Sequence, residues 1–183
     1  MKNNRREKTL NPPLSQKEVR SLKSGEQVRI TGRIITARDE AYQKIIETKK
    51  DELPLDLEGM IVYHCGPLVK KNDSEWKVIA AGPTTSGRMD DMEVEFVRKT
   101  GVKALIGKGG MSKKISQKLA DMNCVYLAFT GGAAALAADS IVKIDDVHFV
   151  ELGIPEAIWL FDVKSFGPLL VTNDLEGNNL YER

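Results

Sequence analysis

From residue 76 to residue 141 the sequence switches three times from a short apolar run to a helical pattern. WKVIAA (76–81) precedes DDMEVEFVRKTG (90–101), VKALIG (102–107) precedes SKKISQKLADM (112–122), and CVYLAFT (124–130) precedes GAAALAADSI (132–141). The runs lack the polar alternation of a half-exposed strand and fit strands covered on both faces. The helical stretches place Met89, Met92 and Phe96 on one side, then Ile115, Leu119 and Met122, with Gly101 as a C-terminal stop. Such units in series predict a parallel sheet with right-handed crossover helices. Around them, VRITGRIITA (28–37) and GMIVYHCG (59–66) read as strands. RDEAYQKIIETKK (38–50) reads as a helix with Tyr42, Ile45, Ile46 and Lys49 on one face, and a loop follows at 53–58. AIWLFDVKSFGPLLVTND (157–174) adds one or two strands, interrupted at Gly167-Pro168. The expected class is α/β, a mostly parallel central sheet plus additional β-strands.

The 183 residues, 42% of them hydrophobic, suffice for one cored domain. Residues 1–24 are polar and basic and read as an N-terminal arm, disordered or docked elsewhere, which leaves 25–183 as the single domain. A net charge of +1 offers no electrostatic attraction for nucleic acid or an anionic membrane. No apolar run reaches membrane-spanning length and the N-terminus lacks a signal-peptide core, so a cytoplasmic protein is expected. Cys65 and Cys124 read as buried free thiols, too few to hold a cubane cluster. His64 and Cys65 are neighbours on a strand and point to opposite faces, so no metal site of this chain alone is expected.

In consecutive right-handed units the loops after the strands open at one sheet edge, beside helix N-termini. There the chain places Arg38-Asp39, GPTTSGR (82–88), GKGGMS (107–112) and TGG (130–132). These loops supply Arg38, Arg88 and Lys108, several hydroxyls and glycine-freed backbone N–H groups, with no clustered acids. Guanidinium groups grip carboxylates or phosphates as a fork, so a dianion is the natural guest. Each loop also has an ordinary reading: a Gly82-Pro83 turn, Asp90 and Asp91 as helix caps, Gly109-Gly110 for close packing, Arg38-Asp39 as an exposed ion pair. Neither GPTTSGRM nor IGKGGMS is a P-loop, since Arg88 and Met89 replace the lysine and hydroxyl in the first and the second lacks the upstream glycine.

TGRIITARDEA, GPTTSGRMD, IGKGGM, FTGGAAAL and PEAIW occur in that order. Together they resemble the β subunit, or C-terminal domain, of the iron–sulfur hydro-lyases, class I fumarase and L-tartrate dehydratase. The likeness runs from about Leu10, through PLS at 13–15, to GNNLYE at 177–182. The resemblance implies a swivelling β/β/α domain that closes over an active site shared with an α subunit. That subunit carries the 4Fe-4S cluster, commonly in an α2β2 assembly, and this chain binds none alone. Arg38, Arg88 and Lys108 match the family's substrate-binding cations, and Lys108 is also carried over as catalytic. Thr84 matches the catalytic threonine, with Thr85 beside it in the substrate grip.

The implied reaction is reversible hydration of fumarate to L-malate, in which the cations neutralise an enolate-like state. Fumarase comes first because that reaction serves the tricarboxylic acid cycle. A tartrate dehydratase is the alternative, since the substrates differ by one hydroxyl. A non-catalytic module for a small anion or nucleotide, or a purely structural subunit, stands outside the enzyme class. The chain departs from the family's RDxAH pattern at Tyr42, often His there. A phenol does not titrate near neutral pH, and Tyr42 lies one helical turn from Arg38, where packing is its plain role.

Overall fold

In the computed structural model, residues 7–72 and 75–181 are described. Residues 1–6 of the expected arm and Glu182 of the GNNLYE stretch lie outside them. The chain is an α/β domain with a mixed sheet of seven strands and a separate two-stranded hairpin.

Four strands run parallel: β1 (Lys8–Leu10), β2 (Gln27–Thr36), β3 (Ile61–Tyr63) and β6 (Ala104–Gly107), and β7 (Val125–Ala128) continues the series. β9 (Ile158–Asn173) runs antiparallel to β7 and to β2. The circuit β2, β3, β6, β7, β9 and back to β2 therefore closes into a barrel-like wall. β8 (Ile141–His148) pairs only with β9, on the outer edge.

Period-two alternation sorts the wall's side chains. Ile61, Tyr63, Ala104, Ile106, Val125 and Leu127 point inward to a core with Trp159, Phe161 and Phe166. Val62, Leu105 and Tyr126 point outward to helices α2 (Asp39–Glu47), α3 (Asp90–Thr100) and α4 (Lys113–Asp121), meeting Tyr42, Phe96 and Leu119. This double burial is why the parallel strands read as unbroken apolar runs.

Some expectations change. WKVIAA forms β5 (Glu75–Ala80) and pairs with β4 (Leu68–Asn72) as the hairpin, outside the parallel sheet. Its burial alternates between exposed and half-buried, as an edge hairpin requires. The strand pairing β6 from the other side is β3, so the third parallel unit begins earlier than the periodicity indicated. Gly167-Pro168 does not interrupt β9: it falls where register shifts between Val28 and Ile30 absorb an extra residue, and a bulge tolerates the missing proline donor. Residues 8–24 pack on this domain's own core instead of standing off it. Leu10, Leu14, Val19 and Leu22 are buried, and Ser15 and Glu18 form a capping box on α1 (Gln16–Arg20). Among the described residues no helix is long and apolar enough to cross a membrane.

Candidate active site

The loops after β2, β3 and β6 meet at one edge, stitched by backbone. GPTTSGR arrives there from the hairpin: Pro83 bridges to Cys65 and Thr85 to Lys108. Thr84 N–H donates to His64 C=O at 2.7 Å, Lys108 N–H donates to Thr84 C=O at 3.1 Å, and Ser86 N–H donates to Lys108 C=O at 3.2 Å. The loop thus acts as a short strand wedged between the extensions of β3 and β6. That placement fixes Thr84 half-buried, with Thr85 and Lys108 exposed beside it.

Arg38 and Arg88 arrive from different segments and share one acid. Arg38 Nε lies 3.4 Å from one oxygen of Asp39, and Arg88 Nη2 lies 3.2 Å from the other. Arg38 Nε also pairs with Glu156 at 2.9 Å. The edge expected to hold no clustered acids gathers two, Asp39, foreseen there beside Arg38, and Glu156, which was not. Glu156 belongs to PEAIW, whose place in the motif series was its only sequence signal. Gly66 makes room for Arg38, since a Cβ there would stand 2.7 Å from its Nη1 and 2.8 Å from Pro155 O. Lys108 Nζ has no ion-pair partner among the described residues. The structure therefore brings Arg38, Thr84, Thr85, Arg88 and Lys108 to one open rim, three cations against two acids. A groove of about 880 Å³ along β5 and β8, lined by Trp76, Lys77, Val142 and Asp145 among others, carries none of them.

Asp90 and Asp91 lie in the first turn of α3, where carboxylates favour the helix dipole, but Met89 is the N-cap and has no side-chain cap bond. Asp90 instead accepts from Ser112 N–H at 3.2 Å, tying α3 to the start of α4.

Beneath the rim lies a buried polar chain that the sequence did not announce. The Tyr42 hydroxyl is 2.7 Å from Glu93 Oε1 and 2.7 Å from His64 Nε2. His64 Nδ1 is 2.8 Å from Ser86 Oγ, which is 2.8 Å from the Tyr126 hydroxyl. Tyr126 donates to Gly109 C=O at 3.2 Å. Tyr42, His64, Ser86, Glu93 and Tyr126 have no exposed surface. Tyr42 also stacks on Phe96 at 3.8 Å between centroids, so its role exceeds packing. Burial pushes Glu93 up to about 8, with Asp90 adding to the rise and the Tyr42 bond opposing it. Burial also holds His64 down near about 3.

These shifts set a pH dependence of stability. Between the ordinary glutamate value of 4.5 and about 8, only folded Glu93 holds its proton, so stability falls as pH rises. Between about 3 and the ordinary histidine value of 6.5, only unfolded His64 binds a proton, so stability rises with pH. The two slopes cancel from 4.5 to 6.5, and above 6.5 Glu93 acts alone. Stability is expected to drop by about 1–2 kcal/mol between there and pH 8, at about 1.4 kcal/mol per pH unit per proton. Urea unfolding at both ends of that window measures it, and a Glu93→Gln variant that keeps the full drop refutes the assignment.

The cysteines do not suit a cluster. Cys65 lies in the barrel interior and Cys124 under the helices, and burial raises both thiols. Among the described residues no group of three His, Cys, Asp or Glu could hold a metal ion.

The chain matches the family described as Fumarase C-terminus over residues 1–183. It is 49% identical over 172 residues to a Methanocaldococcus jannaschii protein provisionally named L(+)-tartrate dehydratase subunit beta, covering 92% of this chain and 88% of that one. It is 40% identical over 173 residues to the L(+)-tartrate dehydratase subunit beta of Escherichia coli K12, covering 94% and 86%. A Geobacillus stearothermophilus protein provisionally named fumarate hydratase class I is 43% identical over 179 residues, 97% of this chain and 34% of that longer one.

Proposed function

Because the chain belongs to the fumarase C-terminus family, we propose that it is the β subunit of a hydro-lyase acting on a C4 dicarboxylate. The reaction proposed first is reversible hydration of fumarate to L-malate. The observation that carries the reading is the single rim holding Arg38, Arg88, Lys108 and Thr84. A diacid needs two cationic grips, and Arg38 and Arg88 supply them from separate loops. In this reading Asp39 holds the two guanidinium groups in place when the site is empty and gives up one of them to a substrate carboxylate. Lys108 balances the charge that builds on the enolate-like state. Thr84, set between His64 and Lys108 by its backbone, faces the proton transfer at C3, with Thr85 in the grip.

The rim is half a site. Arg88 and Lys108 are exposed, and the described residues offer no cluster ligands. We therefore assign the 4Fe-4S cluster to an α subunit, onto which this domain swivels in an α2β2 assembly. The names of relatives that it matches almost end to end favour a second reading, tartrate to oxaloacetate on the same rim.

Reconstitution tests this. Alone, the chain is expected to hydrate no fumarate; mixed anaerobically with its α-type subunit it gains a brown chromophore and turnover. Rates on fumarate, malate and the tartrate isomers decide between the readings. A stable complex that turns over none of them overturns both.

A further inference from the structure

We propose that Glu93, Tyr42, His64, Ser86 and Tyr126 form a positioning relay, complete only while Glu93 carries a proton, that fixes the Thr84–Arg88 loop and the Lys108 loop for the reaction proposed above. The relay rests on that reading for its catalytic effect; its proton content and its hold on the loops stand on the geometry alone.

Counting protons carries the argument. The chain has five links: Glu93–Tyr42, Tyr42–His64, His64–Ser86, Ser86–Tyr126 and Tyr126–Gly109 C=O. Neutral Tyr42, His64, Ser86 and Tyr126 bring one bonding proton each, four in all, so one link stays empty unless a fifth is present. A protonated Glu93 supplies it. Its acid hydroxyl then donates to Tyr42, Tyr42 to His64 Nε2, His64 Nδ1–H to Ser86, Ser86 to Tyr126, and Tyr126 to Gly109 C=O. The other way to hold five protons is a His64 imidazolium facing a Glu93 carboxylate 3.8 Å away. Both side chains are fully buried, and an ion pair there has a large desolvation cost. A second observation agrees. Glu93 Oε2 is buried without a hydrogen-bond partner, which a neutral acid carbonyl tolerates far better than a carboxylate oxygen does.

Loss of the proton is felt at the far end. With Glu93 ionised, Tyr42 turns to the carboxylate, His64 donates to Tyr42 and Ser86 to His64. The one proton on Tyr126 then faces two acceptors, Ser86 Oγ and Gly109 C=O, so the link from the Ser86 loop to the Lys108 loop is broken at one of them. Gly109 follows Lys108, and Ser86 sits between Thr85 and Arg88, so both loops loosen together. The groups facing Glu93 are Tyr42 from α2, His64 after β3, Cys124 and Tyr126 at β7, and Asp90 on its own helix. None of the four besides His64 is a cation at any pH, and His64 is held neutral, so nothing there offsets a Glu93 carboxylate.

Two sets of measurements test the relay. On the chain alone, infrared spectroscopy is expected to show a protonated-carboxyl stretch below pH 8 that is missing in Glu93→Gln. Amide hydrogen exchange at residues 108–111, corrected for intrinsic rates, is expected to quicken above that pH in wild type and not in Glu93→Gln. In the α/β complex, wild-type kcat/KM is expected to fall on the alkaline side with this titration. Glu93→Gln, whose amide still donates to Tyr42, loses that alkaline limb. Tyr42→Phe lowers kcat/KM about tenfold across the profile, since small misplacements of catalytic groups carry such losses. The absence of the carboxyl stretch, an alkaline limb kept by Glu93→Gln, or unchanged kcat/KM in Tyr42→Phe each overturns the relay. If the wild-type complex turns over no diacid, the functional reading fails, while infrared and exchange still decide the relay.

Discussion

Gly107→Ala is expected to lose at least about 3 kcal/mol of stability, the largest effect of any single methyl group near the rim. Gly107 ends β6 and faces the buried chain. A Cβ there would overlap Ser86 Oγ and stand 3.1 Å from both His64 Nδ1 and the Tyr126 hydroxyl. Ser86 cannot step aside, because those same two groups bond its hydroxyl from either side. Displacing it breaks two buried bonds, and each orphaned group costs about 1–3 kcal/mol. The network polarises as a unit, so the losses compound. Denaturant unfolding reads the effect as a lower midpoint at unchanged slope. A variant within about 0.5 kcal/mol of wild type means the chain is not the rigid support described above.

Arg88→Lys behaves in the opposite way: activity falls and stability holds. Its side chain is 54% exposed and its one ion pair among the described residues, with Asp39, is 3.2 Å long. Exposed pairs contribute little to folding, so the melting temperature is expected to stay near wild type. Lysine keeps the charge but not the planar fork that meets a carboxylate with two parallel bonds. In the α/β complex kcat/KM is expected to fall about 30-fold or more, equivalent to about 2 kcal/mol of transition-state stabilisation. An unchanged kcat/KM would remove the carboxylate-gripping role from Arg88.

Thr84 and Arg88 were placed on the rim through a strand, β5, that belongs to the hairpin, and it is the Pro83–Cys65 and Thr85–Lys108 bridges that bring them there. Arg38 and Lys108 were legible because they follow buried strands, and topology puts the loops after parallel strands on one edge, so they needed no contact information to be grouped. Their supports did. Glu93 lies 51 residues from Tyr42, and Ser86 lies 40 from Tyr126, so no local pattern links them. Glu93 falls on the Met89–Phe96 side of α3, where a lone carboxylate gives no sign of its partners, and it is fully buried. Glu156 was hidden in the same way, visible only once β9 brought it beside Arg38. Among the elements, β8 escaped notice because Lys143, Asp145 and Asp146 break the apolar alternation of an outer strand. β5 was assigned to the wrong sheet because a hairpin strand and a parallel strand of six residues have the same composition.

β9 touches β8, β7 and β2, and so bonds to segments more than a hundred residues apart. During synthesis β2 leaves the ribosome long before β9 does. Until residues 160–170 have emerged, β2 lacks its antiparallel neighbour and the inward faces of Ile30 and Ile34 lack Phe166 and Phe161 across from them. Such late, long-range pairing slows folding and leaves the nascent chain's apolar surface exposed until it forms.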